Sequence, residues 1–431
     1  MSIIGTGRPD GALSDDQVAE IVANAAAAIA PAGKGNGQKV LVVIPDHTRT
    51  CPLPLVTRLL HKAIAPAAAK LDFLIALGTH PPMSEAMIDK LLGIDPGRRA
   101  NVLPGSKVFN HQWQNPDALA CIGQLAADEI AAQIPPECRR FARDIDVTIN
   151  KRVFDYDHVL ICGPVFPHEV VGYSGGAKYF FPGICGQELL NFFHWLGALI
   201  TCPRIIGTKL TPVRKVLHMA LDMVKVEHSA LCMVVKGHDL AGLYHGPTVE
   251  SWSAAADLSD KTHITYVDKP YQSILSRAPE MYDELWVGAK CMYKMEPVVA
   301  DGGELIIYAP HIREISVVHG AVIREIGYHC LPYFLAQWDR FKHYPWGILA
   351  HSTHVRGIGT YADGLENPRI TVTLATGIPQ AECRAVNLGY RDPAAIDIAH
   401  WQHREAEGRL YVPKAGEMLY KLKNAPAWQR Y

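Results

Sequence analysis

The chain has 431 residues, 48% apolar and 20% charged, an ordinary globular composition that is long enough for two domains with sizeable cores. A net charge of −1 offers no basic face for nucleic acid and no polybasic patch for an anionic membrane. No apolar run approaches the roughly 18 residues that cross a bilayer, and residues 1–17 lack a basic-then-apolar signal pattern, so a cytoplasmic protein with no nucleic-acid or membrane partner is expected.

Residues 18–30 are alanine-rich with a helical pattern. Residues 39–44 form a continuous apolar run, the signature of a buried parallel strand, and Asp46-His47-Thr48-Arg49 follows its end. Pro52 suits the first turn of a helix reaching residue 64. Residues 71–77 read as the next strand, ending in Gly78-Thr79-His80, and Ser84 can cap a helix over 85–92. This strand–helix rhythm belongs to a doubly wound sheet. Ligands bind such sheets beyond the carboxyl ends of the strands, where both polar motifs fall. Asn110-His111 follows a short strand, 118–134 reads as mainly helical, and 147–153 and 158–162 as strands.

Residues 162–195 then form a glycine-rich stretch with the run Tyr173-Ser174-Gly175-Gly176-Ala177-Lys178, and a helix is expected to start just after Gly186. His168 precedes Lys178 by ten residues and His194 follows it by sixteen. Glycines permit positive φ and close backbone approach to a ligand, and a structureless loop of this length is uncommon unless it is functional. A lysine there can carry a cofactor or pair with an anion. Histidines can move protons or bind metal. Taken singly, each of these residues also reads as an ordinary surface lysine or core histidine.

Further along, 212–226 and the stretch after Pro247 read as helices, and 230–236 and 262–267 as strands. The second half restarts with a helix over 281–298 that contains Lys290, followed by strands at 303–308, 346–350 and 371–375. The expected fold is α/β with two domains: a larger one over 1–268 with a mainly parallel sheet and the glycine-rich loop, a smaller one over 269–431 closing over the substrate, and an active site in the cleft between them. The ten cysteines form no C-x-x-C pair and read mostly as core residues.

The glycine-rich stretch resembles the cofactor loop of the lactate racemase family, the nickel-pincer-nucleotide-dependent 2-hydroxyacid racemases and epimerases. The likeness rests on His168, Gly175-Gly176, Lys178 and His194, and on Asp46-His47-Thr48-Arg49, Gly78-Thr79-His80 and Asn110-His111 in the same order. It implies a nicotinate-derived mononucleotide that carries nickel through two sulfurs and a ring carbon, bound covalently to Lys178 and ligated by His194. Gly175, Gly176, Thr48 and His80 would line the cofactor. His111 and His168 match the pair of acid/base histidines, with Asp46 orienting one of them. Arg49 and Lys290 would bind the substrate carboxylate, with Trp338 nearby. Other proteins would have to make the cofactor. Val287 and Pro81 stand where the family often has Gln and Arg, which argues for a 2-hydroxy acid other than lactate.

Racemising a 2-hydroxy acid by proton removal is hard, because the Cα proton is very weakly acidic. Removing hydride instead gives a planar 2-oxo acid that can be reduced from either face, and this needs a cofactor, since no side chain accepts hydride. Two other readings stay open on the residues alone. Lys178 could hold pyridoxal phosphate in an amino-acid racemase, or the chain could be a catalytically silent nickel- or nucleotide-binding protein.

Overall fold

The computed structural model describes residues 2–31 and 37–430. The chain divides into two compact units. The first comprises Met1–Phe166, Tyr173–Leu190 and Arg214–Thr262, and the second Pro167–Gly172, Asn191–Val213 and His263–Tyr431. The single cut at residue 268 expected from the sequence is thus replaced by an interleaved division. Residues 167–172 and the latter part of the helix Gln187–Ile200 belong with the C-terminal unit.

The first unit is built on a seven-stranded sheet. Its strands are β1 (Ile4–Gly7), β2 (Lys39–Ile44), β3 (Lys70–Ile75), β4 (Val108–Asn110), β5 (His158–Pro164), β6 (Glu227–Lys236) and β7 (Asp239–Gly246), in the order β1-β7-β6-β5-β2-β3-β4. The five strands from β6 to β4 are parallel, and β7 and β1 add an antiparallel edge. Val40 to Ile44 are fully buried, and helices Asp15–Ile29 and Leu53–Ile64 pack their apolar faces into the same core. Each such side chain contributes about 1.5–3 kcal/mol on burial. The carboxyl ends of β2, β3, β4 and β5 deliver Asp46, the Gly78–His80 turn, His111 and the glycine-rich loop.

The second unit has a five-stranded, wholly parallel sheet. Strands β8 (Tyr271–Arg277), β9 (Val299–Ala309), β10 (Thr371–Thr376), β11 (Gly389–Tyr390) and β12 (Arg409–Val412) run in the order β11-β10-β9-β8-β12. Both units are therefore mixed α/β, and the larger sheet is mainly parallel.

Three sequence expectations fail for identifiable reasons. Leu119–Leu125, expected as helix, is a strand paired antiparallel with Ile145–Asn150, so cross-strand pairing overrides local propensity. The helix expected over 281–298 is three short pieces, Leu285–Gly288, Lys290–Tyr293 and Glu296–Val298, with Gly288 and Pro297 inside the stretch. Residues 346–350, expected as a strand, open the helix Trp346–Arg356. A short apolar run does not distinguish the two.

Candidate functional site

In the first unit, Asp46 is 4% exposed beyond the end of β2. Its Oδ1 accepts the Thr48 N–H at 3.0 Å and the Thr48 hydroxyl at 2.7 Å, and its Oδ2 pairs with Nδ1 of His80. Burial alone would raise this carboxyl, but His80, Arg49 and Thr48 outweigh it and hold the group well below the usual carboxylate range. The carboxylate expected to orient His111 or His168 therefore orients His80 instead. Thr48, expected at the cofactor, donates its hydroxyl proton to Asp46. His80 keeps 19% of its side chain exposed.

His111 is fully buried at the end of β4. Its Nδ1 accepts from the Asn150 side-chain amide at 3.0 Å, and its Nε2–H donates to the Cys185 carbonyl at 3.0 Å. Burial pushes its pKa down to about 4, against a smaller opposing effect of the Cys185 bond. With both ring nitrogens engaged inside the protein, His111 fastens the β4 end to the far side of the glycine-rich loop. This geometry does not offer it as an acid/base group.

The loop itself turns on Gly175 and Gly176, at φ +79° and +55°. A Cβ on Gly176 would sit 2.7 Å from Trp252 Cβ, so glycine is required by space as well as by φ. Trp252 also fixes the loop by donating its indole N–H to the Ser174 carbonyl at 2.9 Å. Lys178 is half-buried in the 3-10 turn Gly176–Tyr179, and its carbonyl accepts from Gly183 N–H at 3.0 Å. The Gly183 carbonyl in turn accepts from Gly78 N–H at 3.0 Å, which ties the His80 turn to the lysine loop. Arg49 and Asp46 act electrostatically on Tyr179, and Lys178 acts on the Cys185 thiol. The first unit therefore brings Asp46, Thr48, Arg49, His80, Gly175, Gly176 and Lys178 into one neighbourhood.

The second unit carries the remaining residues. His168 is buried, its Nδ1 accepting from Val170 N–H at 3.1 Å with the Glu169 carboxylate 3.3 Å away. His194 is half-buried on the helix Gln187–Ile200 and acts electrostatically on His351 and His354. Lys290 is buried, with Nζ 4.7 Å from the centre of the Tyr282 ring. Trp338, expected near the substrate, stacks on Trp195 at 5.2 Å and 16°.

Sequence reasoning missed a cluster beside His194. The Trp286 ring packs against the imidazoles of both His351 and His319, with ring centres 3.9 and 4.3 Å away. His351 and His354 sit three apart on Trp346–Arg356, and the Nε2 atoms of both are buried without a hydrogen-bond partner among the described residues. The spacing His351-x-x-His354 is the signal in the sequence, and it has meaning only on a helix, whereas the apolar run 346–350 reads as a strand. No group of three His, Cys, Asp or Glu side chains among the described residues converges to hold a metal. No helix of the described residues is long and apolar enough to cross a membrane.

The family model described as the lactate racemase N-terminal domain matches residues 14–133 and 138–204. A lactate racemase from Lactiplantibacillus plantarum is 25% identical over 282 residues, 64% of this chain, and the chain spans about 60% of the length of that relative. A crystal structure of a Thermotoga maritima protein has 32% identity and a TM-score of 0.87, covering 97% of this chain and 100% of that one. The lactate racemase apoprotein from Thermoanaerobacterium thermosaccharolyticum shares the fold, with a TM-score of 0.69 at 16% identity over 94% of this chain and 93% of that one. The matched residues include Asp46, His80, Lys178 and His194, and the chain belongs to the lactate racemase family.

Proposed function

We propose that this protein is an isomerase that inverts C2 of a 2-hydroxy acid other than lactate, through a planar 2-oxo acid, with a nickel-pincer nucleotide as cofactor. The observation that carries the proposal is the Asp46–His80 pair, tied through Gly78 and Gly183 to the loop that presents Lys178. A carboxylate on one ring nitrogen fixes the tautomer and leaves the other nitrogen for a substrate proton.

When bound, the cofactor supplies the hydride acceptor that no side chain can provide. The residues fit such a group. Lys178 offers an amine in a loop held rigidly by Trp252 and Gly183, and His194 offers an imidazole, a donor suited to nickel. Other proteins would supply the matured cofactor.

His80 would accept the hydroxyl proton of one enantiomer as hydride leaves C2, and His168 would donate a proton to the resulting carbonyl oxygen as hydride returns to the opposite face, the two exchanging roles in the reverse reaction. A lost general base costs roughly 100-fold or more. Arg49 can hold the substrate carboxylate in a bidentate pair, with Lys290 as a second cation. Pro81 and Val287, apolar where the family often has Arg and Gln, support a substrate other than lactate.

The test is chiral chromatography of 2-hydroxy acids incubated with holo-protein matured beside the cofactor-synthesis proteins. His80→Gln should lose roughly 100-fold or more in kcat, whereas folded His111→Gln should still racemise. A His80→Gln enzyme at wild-type rate with an inactive His111→Gln would return the proton-handling role to His111.

A further inference from the structure

Within the second unit, a cavity of ≈ 120 Å³ opens where three segments that carry site residues converge. The helix bearing His194 contributes Ala198, one turn further along the same face. The segment after Lys290–Tyr293 contributes Glu296. The helix bearing His351 contributes His354, whose ring lies edge-on to Tyr293 and is coupled electrostatically to His194. Leu331 and Ile358 complete largely apolar walls. Thr201, also on the wall, is held at φ +84°, a costly conformation for a β-branched residue and one that clusters at ligand sites.

We infer that this cavity receives the tail of the substrate, and that the tail is an uncharged, branched or cyclic hydrocarbon. The inference rests on the racemase reading above and names the substrate class of that site. The size argues for a tail of about four to six carbons, since an apolar cavity of roughly 150 Å³ accommodates benzene. The chemistry argues against a second carboxylate. No lysine or arginine lines the cavity among the described residues, and the buried carboxyl of Glu296, whose Oε1 accepts from Ile358 N–H at 2.8 Å, faces any acidic tail that enters. Lactate, with a single methyl, leaves the space unfilled, and each missing methylene lowers kcat/KM roughly 10-fold or more.

Holo-protein should be assayed with lactate, malate and 2-hydroxy-4-methylpentanoate, as wild type, Leu331→Phe and Leu331→Ala. The branched acid, with three more side-chain carbons than lactate, should be preferred over lactate by roughly 1000-fold and over malate by roughly 100-fold or more. Leu331→Phe, which fills the cavity, should cut that preference about 10-fold or more, and Leu331→Ala, which widens it, should favour phenyllactate, assayed as a fourth substrate, over the branched acid. Melting of the cofactor-free protein provides a second readout: the branched acid should raise Tm of wild type and not of Leu331→Phe. A holo-protein that prefers malate or lactate, or Leu331 variants that scale all substrates equally, overturns the cavity assignment while leaving racemisation intact. A holo-protein that racemises nothing sinks the functional reading instead. The cavity assignment is then decided by melting, and an unchanged wild-type Tm with the branched acid overturns it.

Discussion

Replacing Asp46 with Asn removes one charge and keeps the shape of the side chain. In the native site Oδ1 accepts two bonds from Thr48 and Oδ2 faces Nδ1 of His80. An Asn oxygen can keep the Thr48 bonds. Its amide then donates to His80, so the imidazole must accept at Nδ1 and carry its proton on Nε2. That is the opposite tautomer, and in a carboxylate–imidazole pair the same exchange costs about 10⁴ in kcat. We expect a loss of 10²–10⁴, taking the lower end from the loss of general-base action alone, roughly 100-fold. Stability should fall by only about 1–3 kcal/mol, the range for a hydrogen bond to a charged group. It should also become less sensitive to acid. The native carboxyl is held below its ordinary range, so its stabilisation is present above about pH 4 and lost as the pH falls, and Asp46→Asn removes that contribution. The assay is kcat in both directions on holo-protein, with ¹⁵N shifts of the labelled His80 ring reporting the tautomer. A variant whose His80 carries its proton on Nε2, yet turns over within threefold of wild type, would refute the role given to the pair.

Lys178→Ala should abolish the covalent adduct seen by intact mass and with it all racemisation, while Tm moves by no more than a few degrees, because this half-buried loop side chain adds little to the core. His194→Ala should lower retained nickel, measured by metal analysis, more than it lowers stability; unchanged nickel with the adduct present would move the ligand role elsewhere. His111→Leu should cost about 2–4 kcal/mol in urea unfolding, because it orphans the Asn150 amide and the Cys185 carbonyl. Burial holds His111, His158 and His245 down near 4. Their neutral forms therefore stabilise the fold fully above about pH 6.5, and this stability declines as the pH falls toward 4, by up to roughly 3 kcal/mol for each independent site. A urea midpoint that is flat from pH 7 to 4.5 would contradict that assignment.

The parts of the fold legible in the sequence were those where one physical signal dominates. The run Lys39–Ile44 is apolar on both faces, and Ser84 stands where its hydroxyl accepts from Met87 N–H at 3.3 Å, so strand and helix start both follow from local chemistry. Leu119–Leu125 was not legible, because its conformation depends on Ile145–Asn150, a partner some twenty residues away. The same distinction governs the site. Lys178 stands out through its glycines, whose φ values the loop requires. The roles of His80 and His111 could not be divided by spacing, because the division depends on which imidazole meets Asp46 and which is caught between Asn150 and Cys185. The histidines beside His194 sit on a helix whose first turn, a short apolar run, reads as a strand, and the cavity next to them is formed by segments spread from Ala198 to Gly359.

The proposed racemisation inverts C2 by removal and return of hydride, without exchange with water. The most direct test is to give holo-protein a 2-hydroxy acid carrying deuterium at C2, in ordinary water, and follow both enantiomers by mass spectrometry. The reaction should slow, with deuterium retained in substrate and product alike. Wash-out of the label at a rate comparable to inversion would mean proton abstraction, and would contradict hydride transfer.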